Sequence, residues 1–205
     1  MFFSKEFNEK QNNAEAWLKL EDYDYDATFD LEKFRNCLCV AGTDLAESTD
    51  LCSAFVLFID PEEPNKRFVY SKYFIPEGKL KKGLDDKSAG AKYEEWARKG
   101  LLQICDGNYI NTSYIADWFF SLYNDYGFRC FKDGYDAKFS NEFINRMDLY
   151  GFETETVWQR PETMTPSINM VESDLKDQSI IGLNEIDKWC LGNAPVKMDN
   201  RGYVM

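Results

Sequence analysis

Three apolar runs in the first part of the chain are separated by short polar connections, and this pattern predicts three strands. Leu38–Thr43 is apolar and ends in Asp44. Ser53–Asp60 and Arg67–Ile75 form the second and third runs, and the third is rich in Phe, Tyr and Val. Short connections favour hairpins over crossovers. We therefore expect the three strands to pair as an antiparallel meander.

Helical spacing dominates the remainder of the chain and alternates with two more strands. Helices are expected around Tyr93–Lys99, from Thr112 to Gly127, from Phe139 to Gly151 and from Pro166 onward. Phe128–Tyr135, which is followed by Asp136, and Glu153–Gln159 have the composition of strands. A helical crossover between two strands normally makes them parallel. The order of elements therefore predicts an α/β fold, with a mixed sheet flanked by helices on both faces.

The segments between these elements are more polar. Residues 1–36 form a polar arm that is expected to be partly helical, and Asp30 is expected to cap a short helix that begins near Leu31. Loops are expected at 21–26, at Lys79–Gly90 and in the turn-rich tail Trp189–Met205. The main domain is therefore expected to span residues 37–205.

Length and composition are those of a single folded domain. The chain has 205 residues, and an apolar content of 44% with 16% aromatics allows a substantial core. Its net charge of −12 disfavours nucleic acid on average, because phosphate binding depends on Lys and Arg. A net value does not exclude a local basic surface. No run approaches the roughly 18 apolar residues of a membrane span, so we expect a cytoplasmic protein outside any membrane.

The chain contains no histidine, and this restricts its chemistry. Ser-His-Asp and Cys-His catalysis and His-ligated zinc are excluded. The six cysteines are scattered without a CxxC pair, so they do not indicate a zinc site either. Hydrolytic chemistry would therefore depend on carboxylates, together with a metal ion.

Two carboxylates stand at predicted strand ends. Asp44 follows the first strand and Asp136 follows the fourth, and in a mixed sheet of this order the two strands lie side by side. Carboxylate oxygens at both ends would suit a hard divalent cation such as Mg²⁺ or Mn²⁺. An Asp at a strand end also commonly makes a turn or caps the next helix. The pattern alone leaves both interpretations open.

Eight short segments resemble one protein family in the same order along the chain. They are Gly42–Leu51, Phe74–Glu77, Tyr93–Leu102, Gly107–Ile110, Gly134–Asp136, Met164–Pro166, Gly192–Val196 and Asp199–Gly202. The first reads Gly-Thr-Asp-Leu-Ala-Glu-Ser-Thr-Asp-Leu, and the third contains Tyr-x-x-Trp-x-x-x-Gly-x-Leu. Phe7-Asn8 and Trp17-Leu18 match a connector of the same family. The chain thus resembles the C-terminal nuclease domain of bacteriophage terminase large subunits.

This resemblance implies a ribonuclease H-like fold and a metal-dependent endodeoxyribonuclease that cuts concatemeric double-stranded viral DNA. It implies that Asp44, Asp50 and Asp136 bind a pair of Mg²⁺ or Mn²⁺ ions, with Asp44 and Asp136 as the catalytic residues. The implied partners are double-stranded DNA, the terminase small subunit and the portal, in the host cytoplasm during virion assembly. Residues 1–36 would be the interdomain connector, and 37–205 the nuclease domain.

The chain departs from the family pattern in three places. Ala46 stands where the family usually has Ser. The 205 residues contain no Gly-x-x-x-x-Gly-Lys-Ser/Thr segment, so we expect the chain to lack the ATPase domain. The last metal-binding Asp of the family lies on a helix after the tail, so residues 37–205 are expected to lack their last helix. An alternative therefore stays open: a non-catalytic fragment that serves as an interaction module for the portal or small subunit.

Basic residues cluster between positions 79 and 99. They are Lys79, Lys81, Lys82, Lys87, Lys92, Arg98 and Lys99, against Asp85, Asp86, Glu94 and Glu95. Such a cluster is typical of a DNA-binding track and equally of a solvated loop. The sequence does not separate these two interpretations.

Overall fold

The computed structural model describes residues 17–46, 51–82, 90–136, 140–194, 197–199 and 202–204. The strands are β1 (Leu38–Asp44), β2 (Cys52–Phe58), β3 (Arg67–Pro76), β4 (Leu102–Cys105), β5 (Arg129–Tyr135), β6 (Thr154–Thr156), β7 (Ile180–Ile181), β8 (Lys197–Asp199) and β9 (Gly202–Val204). The α-helices are α1 (Leu20–Tyr23), α2 (Glu77–Lys82), α3 (Tyr93–Arg98), α4 (Ser113–Tyr126), α5 (Asn141–Tyr150), α6 (Pro161–Lys176) and α7 (Glu185–Asn193). A 3-10 helix spans Leu31–Phe34.

Seven of the described strands form one mixed sheet in the order β4-β3-β2-β1-β5-β6, with β7 beside β3. The strands β1, β2 and β3 pair antiparallel, which confirms the predicted meander. The pairs β1–β5, β5–β6 and β3–β4 are parallel. The carboxyl ends of β1, β3, β4, β5 and β6 consequently lie along one edge, called here the carboxyl end of the sheet.

Helices α4 and α5 cover one face of this sheet. Ile115 and Phe119 on α4, and Phe143 and Met147 on α5, are four residues apart and fully or almost fully buried. They meet sheet residues such as Phe74 in the largest core cluster. Each such side chain contributes about 1.5–3 kcal/mol by leaving water. This face is therefore a closed core.

Helices α3 and α7 pack against the other face at β3. Tyr73 and Ile75 from β3, Trp96 from α3 and Ile186 from α7 form a second buried cluster. Because Tyr73 and Phe74 are successive residues of one strand, they point to opposite faces. The helix α7 thus lies on the face of the sheet where β1 has its exposed residues. This face is called here the open face, and the face covered by α4 and α5 is the closed face.

Several predicted element ends are confirmed. The carboxylate of Asp30 accepts from the backbone of Glu32 at 3.0 Å and caps the 3-10 helix. Gly127 and Gly151 end α4 and α5 in the left-handed conformation, with φ of 68° and 80°. These positions strain any residue with a side chain, so the glycines mark the helix ends well.

Other predictions were wrong, mainly where elements are short. A helix, α2, occupies the start of the predicted loop at Lys79–Gly90, and α7 occupies the start of the predicted tail. The last long helix begins with Pro161 at its first position, and Pro166 lies inside it. The strands β4 and β7 were not predicted, since two to four residues are too few to show a period.

Candidate functional site

The predicted carboxylate pair lies at the carboxyl end of the two central parallel strands. Gly42 pairs with Gly134, and Thr43 with Tyr135. Asp44 is the next residue on β1, and Asp136 is the first residue after β5. The register therefore places them side by side. Asp44 is exposed and Asp136 is half-buried. The predicted placement on adjacent central strands is therefore confirmed.

Two glycines allow the open face of the sheet to pack closely just before these carboxylates. A Cβ on Gly42 would lie 2.4 Å from the Phe55 ring on β2. A Cβ on Gly134 would lie 2.9 Å from a methyl group of Val157. Gly42 and Gly134 belong to the motifs that contain Asp44 and Asp136, and their role is steric.

A buried acid that the sequence analysis missed lies on the closed face beneath the pair. The Thr43 hydroxyl donates to Oδ1 of Asp133 at 2.9 Å, which ties β1 to β5. Asp133 is 0% exposed, and its Oδ2 has no hydrogen-bond partner among the described residues. Burial raises the pKa of Asp133 to about 7, against the lowering effect of the Thr43 hydrogen bond. An acid at an inward position of a strand was the only sequence signal.

A second unpredicted carboxylate, Asp187, fixes α7 to β3. It accepts from the hydroxyls of Ser71 at 2.8 Å and Tyr73 at 2.5 Å, and from the backbone N–H of Asn184 at 2.7 Å. Enclosure of the carboxyl group raises the pKa of Asp187, and the hydrogen bonds partly offset this rise. Its role could not be predicted, because its partners Ser71 and Tyr73 lie 116 and 114 residues away.

The third predicted metal ligand, Asp50, lies outside the described residues, as does Glu47. The other two predicted ligands fit a hard divalent cation chemically, because Asp44 and Asp136 offer carboxylate oxygens at the ends of two paired strands. Within the described ranges, no group of three or more His, Cys, Asp or Glu side chains is placed to hold a metal ion. The described part of the site is therefore a two-carboxylate pair.

The basic cluster is partly neutralised in the structure. Lys99 pairs with Glu95 at 2.8 Å and also with Glu185, and Lys92 approaches Glu95 at 4.0 Å. Lys87 lies outside the described residues, and the side chains of Lys81 and Lys82 are not described. In the described ranges every helix is too short or too polar to cross a lipid bilayer.

Known proteins resemble this chain in sequence family and in fold. The family model for the terminase large subunit, endonuclease domain, matches residues 1–205. The crystal structure of the HK97 bacteriophage large terminase is similar over 90% of this chain and 38% of that chain, with 20% identity and a TM-score of 0.74. The large terminase nuclease of thermophilic phage G20c covers 88% of this chain and 75% of that chain, with 11% identity and a TM-score of 0.51. No curated protein matches the chain.

The likeness to the HK97 structure confirms the predicted ribonuclease H-like fold. The chain spans 38% of the length of that large terminase. The family match, in contrast, extends over every residue of the chain. The chain therefore belongs to the family of terminase large subunit endonuclease domains.

Proposed function

We propose that this domain is a metal-dependent endonuclease that cuts concatemeric double-stranded viral DNA in phage packaging. Membership of a terminase nuclease family implies nuclease activity. The observation that supports the chemistry is the juxtaposition of Asp44 and Asp136 at the ends of two hydrogen-bonded parallel strands. The domain would act in the host cytoplasm during virion assembly, within a terminase that also engages the small subunit and the portal.

In this proposal Asp44 and Asp136 are the catalytic metal ligands, and Asp50 assists from the following loop. A pair of Mg²⁺ or Mn²⁺ ions held by these residues would supply an activated water and would stabilise the leaving oxygen of a phosphodiester. The protein contributes geometry, because β1 and β5 hold the two carboxylates before any ion arrives. Mutual repulsion of the two carboxylates also favours cation binding.

A further group at the carboxyl end of the sheet suits a DNA strand. Val157 continues β6 by donating its N–H to the Tyr135 carbonyl at 2.8 Å. Trp158 is 58% exposed, and the Arg160 guanidinium lies 5.2 Å from the centre of its ring. An aromatic face stacks on an unpaired base, and a guanidinium binds phosphate. We propose that this pair contacts DNA beside the carboxylates.

The decisive test is nicking of supercoiled plasmid in Mn²⁺, with EDTA as the blank. Asp44→Asn and Asp136→Asn keep the side-chain shape but remove the charge, so each should lower the rate by more than about 100-fold. Asp50→Ala should lose only about tenfold, because water can take the place of a loop ligand. Asp148→Asn is the matched control, since Asp148 is an exposed acid on α5. Full activity in Asp44→Asn would refute the assigned chemistry.

The alternative is a non-catalytic module that docks to the portal or small subunit. Two features favour it: the described residues supply only a pair of ligands, and the open sheet face exposes apolar side chains. Leu38, Val40 and Phe131 are 57%, 44% and 60% exposed. A chain that binds a partner but leaves plasmid intact in Mn²⁺ would support this alternative.

A further inference from the structure

The attachment of α7 to the sheet is stronger than a helix cap requires. Asp187 is the third residue of α7 and forms a reciprocal capping box with Asn184, whose side chain accepts from the backbone N–H of Asp187 at 3.2 Å. This capping box accounts for only one of the hydrogen bonds that the Asp187 carboxylate accepts, the one from the backbone N–H of Asn184. Ser71 and Tyr73 on β3 donate the others. The side chain of Asn184 also donates to the Ser71 hydroxyl at 2.8 Å.

This attachment lies in the same row of the sheet as Asp44. Asp44 pairs with Ser53 on β2, and Ser53 pairs with Tyr73 on β3. Directly paired residues point to the same face, so the three side chains share the open face. Adjacent strands are about 4.8 Å apart, which puts the backbone of Tyr73 roughly 10 Å from that of Asp44.

Cys190 lies on α7 next to the attachment and packs against the cluster that contains Tyr73 and Ile186. It lies three residues after Asp187, on the same side of α7. Its thiol donates to the Tyr73 hydroxyl oxygen, because the Tyr73 proton is donated to Asp187. Burial raises the pKa of Cys190 to about 12, and the negative charges of Asp187 and Asp44 add to this rise. The thiol is therefore a neutral group within electrostatic reach of Asp44.

We propose that Tyr73 and Asp187 are positioning residues for the metal site: they hold α7 on β3 so that Cys190 closes the β3 side of Asp44. Asp44 lies at an exposed strand end, and in this arrangement the weakly polar thiol of Cys190 is held beside it on the β3 side. A ligand whose rotamers are restricted by its surroundings binds metal more tightly than a free one. This inference rests on the proposed metal-dependent function.

The chain offers a matched control for this arrangement. Asp117 on α4 accepts the Tyr150 hydroxyl at 2.5 Å, the same distance as in the Tyr73–Asp187 pair. Asp117 also binds Arg146 at 2.9 Å, and these groups lie on the helices of the closed face. Asp117→Asn and Tyr150→Phe therefore remove a Tyr–Asp hydrogen bond of the same length on the opposite face of the sheet from Asp44.

The test compares Tyr73→Phe, Asp187→Asn and the double variant with these controls. Calorimetric titration with Mn²⁺ should show about tenfold weaker binding in each single variant, as for other groups that orient metal ligands. The double variant should bind Mn²⁺ no more weakly than Asp187→Asn, because both substitutions act on the Tyr73–Asp187 hydrogen bond. The two control variants should bind Mn²⁺ as the parent does.

The packing of α7 on β3 can also be measured without metal, from the rate at which Cys190 is alkylated. Iodoacetamide alkylation of Cys190, followed by peptide mass spectrometry, should be several-fold faster in Tyr73→Phe and Asp187→Asn and unchanged in the controls. Unchanged alkylation and unchanged Mn²⁺ binding in a parent that binds Mn²⁺ would overturn the inference. Weakening of Mn²⁺ binding in the controls as well would assign the effect to stability alone. A parent chain that neither binds Mn²⁺ nor nicks plasmid would instead overturn the proposed function.

Discussion

At the scale of single residues, Asp133 is the least expected group in the structure. It pairs in register with Ala41 and lies fully buried on the closed face of the sheet. Only Thr43 donates to it among the described residues. An ionised carboxylate in this place would be poorly compensated, so the protein favours its neutral form. Its titration therefore affects stability.

The folded pKa of Asp133 is about 7, whereas the unperturbed value is 3.8. The folded state thus holds a proton that the unfolded chain has released between these two values. The stabilising contribution is complete below pH 3.8 and is lost as the pH rises through 7. Three units of pKa correspond to about 4 kcal/mol. We predict that unfolding free energy falls by this order of magnitude between pH 4 and 7.

Asp133→Asn should remove this pH dependence, because asparagine does not ionise and its carbonyl still accepts from Thr43. Urea unfolding of parent and variant at a series of pH values measures the difference between their stability curves. The curves should converge at low pH and separate by pH 8, with the variant more stable there. Parallel curves would show that Asp133 is ionised at neutral pH in the folded protein.

At the scale of elements, the strands and helices that could be predicted are those in which apolar residues recur at a regular spacing. The meander β1–β3 and the helices α4 and α5 follow from repeated apolar positions and glycine ends, which are local signals. The strand β4 has four residues and β7 has two, so neither shows alternation. The only local sequence signal for α7 is its cap. Asn184 precedes Ile186 and Trp189, which lie three residues apart, as on one side of a helix.

The residues of the candidate site also fall into two groups, those with a local sequence signal and those whose role depends on distant parts of the chain. The placement of Asp44 and Asp136 could be predicted because each stands at the end of a strand and belongs to a motif, and their role as metal ligands stays a prediction. Asp133 and Asp187 could not, because their roles depend on Thr43, Ser71 and Tyr73, which lie at least 90 residues away in the chain. Such tertiary contacts leave no local pattern in a single sequence.

The close packing of β1 on β2 gives a prediction at this scale. A methyl group added by Gly42→Ala would meet the Phe55 ring at 2.4 Å, so the ring must move. Overpacking of this kind costs about 1–3 kcal/mol. Because Phe55 is 37% exposed, Phe55→Ala removes the obstacle with little loss of core. The double variant should therefore be more stable than Gly42→Ala alone, as measured by thermal unfolding. Strict additivity would show that the ring is not the obstacle.

At the scale of the whole molecule, the net charge of −12 limits how the domain can hold DNA. Two lysines of the basic cluster, Lys92 and Lys99, are engaged by Glu95 and Glu185. These two lysines are therefore less available for phosphate contacts. We expect weak binding with a shallow dependence on salt, in which single cations near the carboxyl end of the sheet have a visible effect.

Arg160 and Trp158 should affect this binding in different ways. A guanidinium that contacts one phosphate adds about 0.9 to the slope of log affinity against log salt, so Arg160→Ala should lower the slope by that amount. Trp158→Ala should weaken binding at every salt concentration without changing the slope, because an uncharged ring displaces no counterion. Fluorescence anisotropy of labelled duplex DNA in EDTA measures both quantities without cleavage.

The control for this comparison is Lys176→Ala, which removes a positive charge from the opposite end of the same helix. Arg160 is the residue just before α6, and Lys176 is the last residue of that helix, 16 residues along. A helix of that length places the two charges about 24 Å apart. If DNA crosses the carboxyl end of the sheet, Lys176→Ala leaves the slope unchanged while Arg160→Ala reduces it. Equal effects of the two variants would mean that DNA responds to the overall charge of the domain, and the proposed contact beside Asp44 and Asp136 would be wrong.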